Sequence, residues 1–141
     1  GLSWKDRIER CKFDVVDQEV WQYIDKFIAV QDEDPAAVNV SPEHYNRYMS
    51  SSDAEKEMAK VRRQGISAAR FLHLCELFPA LQRQSPLVCL KVVCTGRHGY
   101  ERVFYAGVDD GGRRKLWLHY RGGDWHDDCR FPSVPQEPSK P

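Results

Sequence analysis

The sequence predicts an α+β domain, with about four N-terminal helices packed on a C-terminal antiparallel β-meander of three to four strands. Three observations predict it. Apolar residues recur at steps of three and four through the first 81 positions, the spacing of helices buried on one side. After Ser85-Pro86 the chemistry switches to runs rich in β-branched and aromatic residues, "LVCLKVVC" and "YERVFYAGV", as strands require. Between 108 and 113 the run Asp109-Asp110-Gly111-Gly112 supplies residues that tolerate positive φ, the chemistry of a hairpin turn.

In order along the chain, Ser3-Trp4-Lys5-Asp6 reads as a capping box that opens a short helix ending near Cys11. Asp17 is an N-cap for a helix over "QEVWQYIDKFIAV", with Val20, Ile24, Phe27 and Ile28 on one stripe. The acidic "QDEDP" that follows is a solvated loop, because it lacks the alternating ligands and central glycine of a calcium loop. Ser41-Pro42-Glu43 has the form of another helix start, with Tyr45, Tyr48 and Met49 along one side. Ser52-Asp53-Ala54-Glu55 forms a second capping box. From there Met58, Val61, Gly65, Ala68, Leu72 and Cys75 make one seam, which predicts either a single helix bent at Gly65 or two in sequence. Beyond Pro86, strands are expected over 87–94, 100–108 and 113–120, with a short fourth near Trp125.

The domain is expected to span 1–131. Residues 132–141 carry Pro132, Pro135, Pro138 and Pro141 at a period of three, the repeat of a polyproline II edge, and read as an extended linker-like tail. A chain of 141 residues buries roughly two-thirds of its unfolded surface, enough for a core without staples. The 21 basic and 21 acidic groups cancel, with acid concentrated in residues 1–50, so composition does not indicate a bulk polyanion binder. Five cysteines, an odd number, sit mostly among apolar neighbours, which points to a reducing, intracellular compartment, cytoplasmic or nuclear. No charged-then-apolar leader or run of about 20 apolar residues is present, so a soluble chain without membrane association is expected.

Function is read from "RKLWLHYRGGDWHDDC" and its surroundings. On the strand 113–120, Lys115, Trp117 and His119 share one face while Leu116, Leu118 and Tyr120 share the other. With Tyr105, Arg102, Arg113, Arg114 and Arg121, the first group makes an aromatic and basic sheet face. Trp, Tyr and Arg are the residues that anchor protein interfaces, so the leading expectation is a non-enzymatic module that binds a protein partner there. The alternative is single-stranded RNA or DNA on the same face, with rings stacking on bases and cations tracking phosphates. Steep loss of affinity with salt distinguishes the second from the first.

Two further readings rank below these. Cys89, Cys94, His126 and Cys129 nominally form a zinc set. Residues five apart on a regular strand point to opposite faces, however, so Cys89 and Cys94 meet one ion only across a bulge. A Cys/His enzyme requires a thiol activated by a base, but Cys75 lies in an apolar stripe and Cys129 beside Asp127 and Asp128, surroundings that disfavour a thiolate. No cofactor is expected, and composition leaves the oligomeric state open.

Overall fold

In a computed structural model, residues 2–30 and 39–136 are described. Three helices begin on a serine cap: Ser3 accepts from the Asp6 amide (3.1 Å), Ser50 from Asp53 (3.1 Å) and Ser67 from Arg70 (3.2 Å). These caps open α1 (Trp4–Arg10), α3 (Ser51–Lys60) and α4 (Ala68–Leu77). The box read at Ser52 is thus displaced by two residues, onto Ser50. Helix α2 (Gln18–Tyr23) starts after Asp17, whose side chain makes no cap bond, and tightens into a 3-10 turn over Ile24–Lys26. The expected stripe therefore ends early: Phe27 is buried, but Ile28 is half exposed and donates its amide to Val93. A last short helix, α5, covers Leu81–Gln84.

The expectation of helices on a small antiparallel meander is overturned. Among the described residues there are ten strands, eight of them in one mixed sheet. These are β1 (Val15–Val16), β2 (Ser41–His44), β4 (Arg63–Gly65), β5 (Leu87–Val88), β6 (Cys94–Thr95), β7 (Glu101–Val108), β8 (Arg114–Tyr120) and β10 (Arg130–Pro135). The order is β1-β8-β7-β5-β10-β2, with β4 on β10 and β6 on β7. The β1–β8 and β5–β10 pairs are parallel. The remaining two strands, β3 (Met49–Ser50) and β9 (Asp124–Trp125), pair separately.

Each misreading has a physical reason. Ser41-Pro42-Glu43 satisfies the local rules for a helix start, yet it forms β2, where Pro42 faces Pro132 of β10. Neither proline has an amide hydrogen, so neither donates to the ladder at this pair. Met49 is consequently buried in β3 while Tyr48 is 60% exposed, instead of both lining a helix. The seam through Gly65 is two helices with β4 between them, and Gly65 sits with its Cα against Leu90, where an added Cβ would lie 3.4 Å from that side chain. Residues 130–135 form β10, so the sheet extends into the segment that the proline period assigned to the tail. Pro138, Pro141 and the "QDEDP" segment lie outside the described residues.

The run 87–94 is not one strand. Cys89 donates its amide to Phe104 and Cys94 pairs with Arg102, so a wide bulge separates β5 from β6. Residues 101–108 and 114–120 do form the expected hairpin, in register Tyr105↔Trp117 and Val103↔His119.

Both faces of the sheet are covered. On one, Phe104, Ala106, Leu116 and Leu118 join Ile8, Val20, Phe71, Leu72 and Cys75 from α1, α2 and α4. On the other, Val88, Val103 and Phe131 meet Ala54 and Met58 of α3, with Trp125 of β9. Burying side chains of this size contributes about 1.5–3 kcal/mol each. Among the described residues, no helix is long and apolar enough to cross a membrane.

Candidate functional site

The alternation on β8 is as expected: Arg114, Leu116 and Leu118 are buried, whereas Lys115, Trp117 and His119 are half-buried on the opposite face. Antiparallel pairing with β7 brings Tyr105 across from Trp117. Four rings then meet. Tyr105 stacks on His119 at 4.3 Å between centroids and 4° between planes, and Trp125 lies nearly parallel to both, at 6.1 and 5.9 Å. Trp117 stands edge-on to Tyr105 (5.6 Å) and His119 (6.3 Å). Edge-to-face and offset arrangements of this kind add about 0.5–1.5 kcal/mol per pair beyond burial.

One end of this cluster is anchored. The Trp125 indole donates to Ser51 Oγ (2.9 Å), which in turn donates to the Arg121 carbonyl (2.8 Å), clamping β9 to the start of α3. At the other end Trp117 is half-buried, with the Lys115 ammonium 4.8 Å over its ring and 3.8 Å from the Asp17 carboxylate. Burial holds the His119 imidazole below the usual histidine value, against the opposing pull of Asp17 and Glu19, so it is neutral at pH 7. Burial also pushes the Tyr105 phenol upward, reinforced by neighbouring Cys129 and Asp128.

The basic half of the expected surface is distributed differently. Arg114 is 7% exposed and points into the core, donating to the carbonyls of Cys11 (3.0 Å), Lys12 (3.1 Å) and Cys75 (3.3 Å). It thereby ties the C-terminus of α1 to the last turn of α4, where a cation complements the helix dipoles. Arg102 pairs with Glu19 at 2.8 Å and lies over the Tyr23 ring. Arg121 pairs with Glu55 and donates to the Leu90 carbonyl. Arg113 pairs with Asp109 (2.9 Å), whose other oxygen accepts the Gly111 and Arg113 amides and shapes the hairpin turn. Every cation assigned to the surface thus has an internal acidic or carbonyl partner, and the face is aromatic first.

The zinc set is not assembled. The bulge between β5 and β6 does bring Cys89 and Cys94 into one core cluster, but Cys129 belongs to the cluster on the opposite face and His126 is exposed against Tyr48. Among the described residues, no three His, Cys, Asp or Glu side chains are grouped to hold a metal ion. Burial pushes the Cys11 thiol up to about 12 and Cys129 to about 11, and raises Cys75 and Cys94 as well. None of these four is a ready thiolate at neutral pH.

Two exposed rings lie beyond this cluster. Tyr100 and Tyr120, 50% and 52% exposed, meet edge to face at 5.1 Å at the open end of the β7–β8 hairpin. Alternation assigns Tyr120 to the packed face, but as the last residue of β8 it lies beyond the core and is exposed. No family model, curated protein or solved structure matches this chain.

Proposed function

We propose that the domain is a non-enzymatic binding module that contacts a protein partner through the sheet face built from Tyr105, Trp117, His119 and Lys115. The observation that carries the reading is Trp117, half-buried at the margin of a ring cluster whose far end is fixed under α3. A large ring already held in place loses little freedom on binding, the property of interface anchors. The internal pairing of Arg102, Arg113, Arg114, Lys115 and Arg121 favours a protein over a polyanion, since phosphate tracking draws on uncommitted cations.

The test compares wild type with Trp117→Ala in affinity capture from nuclease-treated cell extract, with urea midpoints measured in parallel. Loss of a discrete captured protein by Trp117→Ala at a preserved midpoint supports the reading. Undiminished capture by the variant contradicts it, and capture that vanishes on nuclease treatment assigns the face to nucleic acid instead.

A further inference from the structure

The open end of the hairpin carries a second feature, separate from the Trp117 face. Tyr100, Glu101, Tyr120 and Arg121, with Gly99 and Gly122, line a shallow cleft of about 140 Å³. The two glycines border it differently. Gly99 has φ +75° with nothing within 4 Å of the place a Cβ would occupy, while a Cβ on Gly122 would stand 2.5 Å from the Tyr120 ring. The Arg121 guanidinium is turned to Glu55 and the Leu90 carbonyl, which neutralises its charge. The Glu101 side chain, by contrast, is exposed and engages no partner among the described residues. Arg97, on the preceding turn, does not line the cleft.

Two exposed tyrosine rings and a carboxylate with no side-chain partner form an aromatic recess that is left negative by the pairing of Arg121 with Glu55, the complement of a cation carried on an apolar stem. From this geometry we infer that Tyr100, Glu101 and Tyr120 form a receptor for a Lys or Arg side chain of a partner protein. The same recess disfavours a nucleotide, because the Glu101 carboxylate repels phosphate. Independence from the Trp117 face makes the two readings separable, since either can fail while the other stands.

The experiment is an NMR titration of the whole chain with Nα-acetyl-lysine amide and Nα-acetyl-arginine amide. Nα-acetyl-norleucine amide serves as the neutral isostere, and a short single-stranded RNA as a separate arm. The expected result is shifts confined to Tyr100, Glu101, Tyr120 and their neighbours with the two cations, a much smaller response to norleucine, and an affinity about fivefold weaker in Glu101→Gln. Glu101→Gln preserves side-chain shape, and the fingerprint spectrum reports whether its fold is intact; Tyr100→Leu provides a second variant expected to lose the response. Equal shifts from norleucine, no shifts from either cation, unchanged affinity in both variants, or shifts from RNA alone would each overturn the assignment.

Discussion

The two faces of the β7–β8 hairpin obey the same alternation and put it to different use. One face sets Phe104, Ala106, Leu116 and Leu118 into the larger core, with Phe71 stacked on Phe104 and Phe27 edge-on to it. The most buried charge of the hairpin, Arg114, also lies on this side. The other face carries Lys115, Trp117 and His119, none fully buried, with their rings packed on Tyr105 and Trp125, which join the smaller core under α3. A residue's chemical type therefore does not say which face is presented. An arginine can be core and a tryptophan half-exposed, and what decides is which helix ends and which carboxylates stand opposite.

The contrast is most easily broken on the core side. Phe104→Ala removes a ring with no exposed surface and should cost about 3–5 kcal/mol, read as a lowered urea midpoint. Arg114→Met keeps the stem but leaves the Cys11, Lys12 and Cys75 carbonyls without their donor. At about 1–3 kcal/mol for an unsatisfied buried group, a loss of at least about 2 kcal/mol is expected in the same assay. An Arg114→Met midpoint equal to wild type would return this arginine to the surface.

The ring face should respond more gently. Ser51→Ala strands the buried Trp125 indole donor, for an expected loss of about 1–2 kcal/mol with local loosening of β9 visible by hydrogen exchange. His119 gives the smallest effect and a signed one. Its folded-state pKa lies below the ordinary value of 6.5. Above that value neither state holds the proton; as pH falls through it the unfolded chain takes up a proton that the folded chain resists, so stability declines on acidification. Urea midpoints measured from pH 7.5 down to 5 should fall for wild type and less for His119→Phe. Parallel curves would remove His119 from the buried stack.

What the residues made legible follows the length over which a pattern repeats. The β7–β8 pair and α4 are readable because seven to ten positions repeat one period, and the Asp109–Gly112 turn because its residue types tolerate positive φ. Strands β1, β3, β5, β6 and β9 hold two residues each, too few to show alternation, and their pairing is set by distant partners. That is why an eight-stranded mixed sheet read as a meander. Local rules make Pro42 a helix start and Pro132 part of a tail, whereas their facing position in the sheet is a tertiary fact. Of the candidate site, the Lys115/Trp117/His119 face was legible. The commitment of the arginines was not, because Glu19, Glu55 and the carbonyls of Cys11 and Cys75 lie far away in sequence.

The central claim, that the Trp117 side of the hairpin is presented to a partner, is tested most directly by photocrosslinking. A benzophenone side chain placed at position 117 is compared with one at Phe78, exposed at the end of α4, the helix packed on the opposite face of the sheet. The expected result is a discrete nuclease-resistant protein adduct from position 117 and none from position 78. No adduct from 117, or the same pattern from both positions, would contradict it.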